Sequence, residues 1–245
     1  MRAFLAGIRH TVVPGRDGDH GPLPPLLLVL TMVTGLVDAF SYLRLGHVFV
    51  ANMTGNVVFL AFALVGSKGF SIGSSLTALA SFGAGAAAGG LVVSRTATDR
   101  ARLLGTCTLV QTAFLAASVA LDAAGGNPLA TGTHYALIVG LAAAMGIQNA
   151  AARKLAVPDL TTTVLTLTIT GIAADTATSG RNATAAGRRT TAVAAMFLGA
   201  LAGAALIVHG HAVLTVALAL AATAAVTGAT RLLGAPGPAW SRAAP

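Results

Sequence analysis

Asp38 is the residue of this chain with the most chemical potential. It lies in the apolar stretch Thr34-Gly35-Leu36-Val37-Asp38-Ala39-Phe40-Ser41-Tyr42. A carboxylate at the centre of a lipid-facing helix costs about 2.5–3.5 kcal/mol. Asp38 must therefore face protein or water, where it could carry a proton, hold a cation or anchor a cationic solute. Gly35, Asp38 and Tyr42 share one face at helical spacing. The structural alternative is an acid hydrogen-bonded to Asn or Thr, or paired with Arg44.

Two further sets of polar side chains could join it. Asn52, Thr54 and Asn56 fall in Asn-Met-Thr-Gly-Asn, inside the second apolar run. Their oxygens could replace the hydration of a small polar solute or cation, or could satisfy neighbouring backbone in an irregular segment. Gln148 and Asn149 are the amides of a later run, and interhelical hydrogen bonding is the competing explanation for them. Thr162, Thr166 and Thr170 form a helical-spaced stripe in the sixth run. Asp38, Asp122, Asp159 and Asp175 are single and well separated, and no nucleotide loop, nucleophilic triad order or His-Glu-x-x-His helix is present. The expectation is that the protein is not an enzyme and has no cofactor. His209 and His211 lack a third ligand nearby in sequence, and with His47 are read as loop residues; no metal site is expected. The lone Cys107 excludes an intramolecular disulfide.

The elements that must position these residues follow from composition. The chain of 245 residues is 55% apolar and 9% charged, with a mean hydropathy of +0.80. Soluble domains carry about 25% charged residues. Eight apolar runs occupy residues 23–43, 48–66, 72–93, 103–121, 135–152, 160–174, 193–208 and 212–227. Most approach the roughly 20 residues a helix needs to cross the hydrocarbon core. They are continuous rather than alternating, which selects helices over a β-barrel. The fold class is an all-α polytopic membrane protein, with the lipid bilayer as its principal partner.

The net charge of +8 and pI near 11.3 do not indicate nucleic-acid binding, because the basic residues punctuate the gaps between runs. If runs two and six enter and leave on one side, 13 of the 15 Lys and Arg fall on the inner side and only Arg44 and Lys68 outside. If all eight runs cross, the division is 9 to 6. The positive-inside rule favours the first arrangement: six crossings, two re-entrant or broken polar segments, and both termini cytoplasmic. An eight-span bundle is the alternative. Residues 1–22 are read as a polar, mobile cytoplasmic leader, residues 23–230 as one membrane domain, and residues 231–245 as a disordered tail.

An internal two-fold repeat is expected, with halves near 23–122 and 133–230. A shift of about 111 residues places Gly35 on Gly146, Asp38 on Asn149 and Ala39 on Ala150, and slightly larger shifts place Thr54 on Thr166, Asn56 on Thr168, and Gly85 and Gly89 on Gly199 and Gly203. Three crossings per half would invert the second half, an architecture of many secondary transporters. Gly85-x-x-x-Gly89 and Gly199-x-x-x-Gly203 are expected to serve close helix packing.

The stretches Thr34 to Leu43, Gly46 to Asn56 and Gly146-Ile147-Gln148-Asn149-Ala150 resemble the YoaK family of bacterial membrane proteins, over roughly residues 24–230. The resemblance implies a bacterial multi-span inner-membrane protein and brings no substrate with it. One departure is Leu167, which stands where the family pattern often has glycine. The functional expectation is a small-solute or ion transporter or channel built around Asp38, with Asn52, Thr54, Asn56, Gln148 and Asn149 beside it. The alternative is a non-transporting scaffold or assembly partner. Substrate and oligomeric state are not written in the sequence.

Overall fold

The computed structural model describes residues 2–13, 20–96, 98–158, 160, 169–171, 173, 183–234 and 239–241. Eight helices are described: α1 Arg2–Val12, α2 Leu23–Arg44, α3 Met53–Leu64, α4 Ile72–Thr96, α5 Arg100–Ala124, α6 Thr131–Leu155, α7 Ala183–Val208 and α8 Ala212–Gly234. Six of them, all but α1 and α3, are long and apolar enough to span a membrane. The sixth apolar run, with its threonine stripe and Leu167, lies largely outside the described residues, as do Asp159 and Asp175.

Local sequence sets the helix ends. Pro24 and Pro25 occupy the first turn of α2, where a missing N–H costs nothing. The Asp99 side chain accepts from the Arg102 N–H at 2.9 Å and caps α5. Ala156, at φ 48°, ends α6 in the left-handed conformation.

Burial divides the spanning helices into central and peripheral ones. In their most apolar stretches α2 and α6 are each 67% buried, against 17% for α4 and 22% for α7. Thr31, Thr34, Asp38 and Ser41 of α2 and Gln148 of α6 are buried, while α4 and α7 present Leu76, Leu91, Phe197 and Leu201 outward.

Lipid tails are as apolar as leucine, so close van der Waals contact rather than burial from water must hold such helices together. Here glycine provides it. A Cβ built on Gly35 of α2 would meet the Met196 carbonyl oxygen, with Ala200 N at 2.7 Å and Gly199 C at 3.1 Å in α7. A Cβ on Gly146 of α6 would meet the Phe82 carbonyl oxygen, with Ala86 N at 2.7 Å and Gly85 C at 3.1 Å in α4. Reciprocally, Gly199 lies on the backbone of Met32 and Gly85 on that of Ala143. One turn later, a Cβ on Gly203 would lie 3.2 Å from the Leu36 carbonyl oxygen, and one on Gly89 3.2 Å from that of Ile147. Thus α2 runs parallel to α7, and α4 parallel to α6. The third pair, α5 and α8, is antiparallel: Thr230 sits over Gly105, and the Thr227 hydroxyl donates to Thr108 Oγ1 at 2.9 Å.

The helix ends sort into two sets. At one end, Arg44 of α2 reaches the α5–α6 connection, and Ser74 Oγ of α4 lies 3.2 Å from His134 Nε2 of α6. At the other, Arg100 of α5 donates to the Leu155 carbonyl at the close of α6 and contacts His20.

Two expectations are corrected at the chain's ends. The leader is not free: residues 2–12 form a helix that crosses the start of α7, with Gly7 against the Thr184 backbone and Gly187 against that of Phe4. Its Phe4, Ile8 and Thr11 recur at helical spacing and supply a packing face. The described residues of the tail are ordered as well. Arg231–Gly234 continue α8, and Trp240, in a 3-10 turn spanning Ala239–Ser241, is 9% exposed and packs on Gly21.

Candidate functional site around Asp38

Between α2 and α3 the chain passes through residues 46–52 as turn and irregular backbone, after the Leu45 N–H closes α2 on the Ser41 carbonyl. Gly46 and His47 adopt positive φ (74° and 58°) and reverse the chain, and Val48, Val50 and Ala51 are then buried. Backbone N–H groups in such a segment must find partners within the protein. Two side chains supply them. Asp38 lies six residues, about 9 Å, before the end of α2. Its Oδ1 accepts from Val50 N at 3.1 Å and Ala51 N at 2.8 Å. Asn56, in the first turns of α3, accepts from Phe49 N at 2.9 Å and donates to the Phe49 carbonyl at 2.6 Å. Its planar amide thus pairs with Phe49 as a neighbouring strand would. Gly55 leaves room for the Phe49 ring, which would lie 2.7 Å from a Cβ there. Tyr42, Phe49, Phe59 and Phe70 extend the packing, with ring centroids 5.1–5.5 Å apart from neighbour to neighbour.

Asp38 is 4% exposed, and its Oδ2 is buried with no hydrogen-bond partner among the described residues. One oxygen is therefore committed to holding the segment. The other is a buried acceptor able to carry a proton or meet a cation.

The partners offered for Asp38 under its structural alternative are not the ones it takes. Arg44 points the other way: its Nε lies 3.4 Å from Asp122 Oδ1 of α5, and its two Nη atoms donate to Asn127 Oδ1 and the Gly126 carbonyl, both at 2.9 Å. Asp38 bonds to backbone rather than to an Asn or Thr side chain.

The six candidate residues do not share one lining. Asp38 and Asn56 meet at the irregular segment. Asn52 and Thr54 are exposed. Asn149 is half-buried and donates to the Met145 carbonyl of its own helix at 2.9 Å. Gln148 belongs to a second, deeper cluster. Its Oε1 accepts from Gln111 Nε2 at 2.7 Å, and its own Nε2 donates to Thr34 Oγ1 at 2.9 Å. All three are at most 1% exposed, and Gln111 Oε1 has no partner among the described residues. Thr34 stands one turn before Asp38 on α2, so the two clusters are consecutive along that helix. Sequence reasoning passed over Gln111 and Thr34. The available signal was a lone amide in the middle of an apolar run, which in lipid must find a partner on another helix.

The profile of a family described as a protein of unknown function (DUF1275) matches residues 26–228. The chain belongs to this family. Among its relatives is the UPF0700 transmembrane protein YoaK of Bacillus subtilis (strain 168), 36% identical over 150 residues, which is 61% of this chain and 65% of that protein. The aligned part thus falls just short of two thirds of that relative's length. No solved structure matches the chain. Family membership and the six long apolar helices agree that this is a transmembrane protein. The profile takes in the Asp38 and Asn56 cluster and the Gln111, Gln148 and Thr34 cluster, and leaves α1 and Trp240 outside it.

Proposed function

We propose that this protein passes a small polar solute or a cation across the bacterial inner membrane, with Asp38 as the group that takes up charge. The observation that carries the reading is the buried second oxygen of Asp38. A carboxylate is expensive at membrane depth, and an intramembrane acid facing the bundle interior is the usual mark of an ion or proton route. Its first oxygen holds a non-helical segment, the type of backbone that at this depth occurs where it is enclosed by protein or lines a cavity.

In this reading six helices cross, both termini are cytoplasmic, and residues 45–64 form a re-entrant segment. The two halves are inverted repeats. Supporting this, the Gly35 and Gly146 crossings meet equivalent atoms, offset by 111 residues on α2 and α6 and by 114 on α4 and α7. Parallel pairs that run in opposite directions are what an inverted repeat generates, and solute sites in such proteins lie where the repeats meet.

The scaffold reading has one specific observation in its favour. Asp38 Oδ1 and Asn56 Oδ1 accept from backbone N–H groups, and Asn56 Nδ2 donates to the Phe49 carbonyl and to Met53 Sδ, so these atoms are already engaged within the protein. Purified protein in liposomes separates the two. Transport predicts flux of protons, monovalent cations or a small polar solute that is lost in Asp38→Asn with the fold intact. Flux equal in both proteins removes Asp38 from the mechanism. Absence of flux across a broad solute panel, with a stably co-purifying partner, selects the scaffold.

A further inference from the structure

At the Arg100 end of the bundle, away from Asp38, the first turns of α5 and the last turns of α8 enclose a cleft of about 280 Å³. Its polar lining includes Arg102, Arg231, Asp99 and Thr230, and its apolar edge includes Leu109. Both arginines are exposed, and neither has an ion-pair partner among the described residues. They come from different helices, Arg102 near the start of α5 and Arg231 near the end of α8. Where these spanning helices leave the bilayer, such ends meet the head groups, and Lys and Arg there are drawn to anionic lipid.

The other groups narrow the ligand. Asp99 is the carboxylate of the lining, and its Oδ1 is engaged by the Arg102 N–H as the α5 cap. Two arginines and one aspartate leave a single net positive charge, which matches a monoanion. Thr230 donates its hydroxyl to the Thr227 carbonyl, so the charged donors of the cleft are the guanidinium groups. Guanidinium binds phosphate oxygens in bidentate fashion. Gly105 keeps the floor low, since a Cβ there would lie 2.9 Å from Thr230 Oγ1. Leu109, 45% exposed and about one turn deeper along α5, gives the cleft an apolar exit toward the hydrocarbon. A cationic mouth with an apolar exit fits an anion that carries acyl chains.

We propose that this cleft is a binding site for the phosphodiester of an anionic glycerophospholipid, held between Arg102 and Arg231 with an acyl chain leaving along Leu109. The assignment does not depend on the transport reading, because it needs only that this end of α5 and α8 meets the lipid head groups.

The test uses full-length protein in mild detergent, with phosphatidylglycerol titrated by native mass spectrometry and phosphatidylcholine as the neutral comparison. Wild type is expected to hold about one phosphatidylglycerol per chain in preference to phosphatidylcholine. Arg102→Gln/Arg231→Gln should weaken that binding at least about tenfold, the loss of the two charge-assisted, bidentate contacts. Arg102→Lys/Arg231→Lys should fall between, keeping charge but losing the bidentate geometry. Arg95→Gln/Arg153→Gln removes two exposed cations of the same end that do not line the cleft and should leave binding unchanged. Equal loss in that control would mean diffuse surface attraction and overturn the site. Unchanged binding in the Gln double variant would do the same. Competition by inorganic phosphate as effective as by the lipid would overturn the lipid assignment.

Discussion

Asp38 can be tested as a fastener separately from any role in transport. Asp38→Ala removes the acceptor of Val50 N and Ala51 N, both otherwise enclosed by protein. Each buried N–H left without a partner costs about 1–3 kcal/mol, so the segment should loosen by about 2–6 kcal/mol. Asp38→Asn keeps a carbonyl oxygen in place of Oδ1 and loses only the charge assistance, about half the strength of each bond. Its cost should stay near 1–2 kcal/mol. The assay is labelling of Val50→Cys by a water-soluble maleimide. Val50 is fully buried and the native Cys107 is buried too, so the background is low. Labelling reports local opening. In the Ala variant it should accelerate at least about thirtyfold, the equivalent of 2 kcal/mol. In the Asn variant acceleration should be about five- to thirtyfold, and smaller than in the Ala variant measured beside it. Equal acceleration in the two variants, or none in the Ala variant, would refute the role given to Oδ1.

Three further outcomes follow from the packing. Gly35→Ala and Gly146→Ala should each lower stability by about 1–3 kcal/mol and by similar amounts, since each methyl meets the same set of backbone atoms on its partner helix; thermal unfolding in detergent reads this, and tolerance at one position alone would break the equivalence. Arg44→Gln should cost about 3 kcal/mol, the low end for a buried pair because Arg44 is partly wet while the Asp122 side chain is fully buried. The double variant Arg44→Gln/Asp122→Asn should recover most of that loss, and a cycle showing simple additivity would dissolve the pair. A cysteine at the exposed Thr98 should be labelled from the cytoplasmic side alone if six helices cross, and from outside if eight runs do.

The spanning helices were legible because their signal is local. Length and apolar content fix them; α5 and α6 run beyond the limits of the apolar runs at both ends and the other four at one end, where polar residues continue the helix past the hydrocarbon. Asp38 was legible for the same reason: one carboxylate in such a run is costly wherever it points. Its partners were not. The nearest cation, Arg44, is six residues further along α2, yet it turns to Asp122, 78 residues away. The true partners of Asp38 are backbone groups, which every sequence has and no sequence advertises. Asn-Met-Thr-Gly-Asn marked the neighbourhood, but the irregular backbone precedes it: Met53 to Asn56 already belong to α3, and of these polar residues only Asn56 turns inward, toward Phe49. α1 was hidden by arginines around a short apolar face, and Trp240 by the glycines and prolines before it. In both cases the deciding contact is tertiary: the start of α7 in one, Gly21 in the other.

The glycine crossings also bear on how the chain is made. Gly35 finds its neighbour in α7 and Gly85 in α6, so neither of the first two long helices has its resting partner until the ribosome has synthesised sequence more than 50 residues further on. A fragment ending after α5 would expose two bare backbone grooves to lipid. The early helices must wait in the bilayer, unpaired or in the care of an insertion factor, and a premature stop should yield a product that quality-control proteases recognise rather than a half-sized working unit.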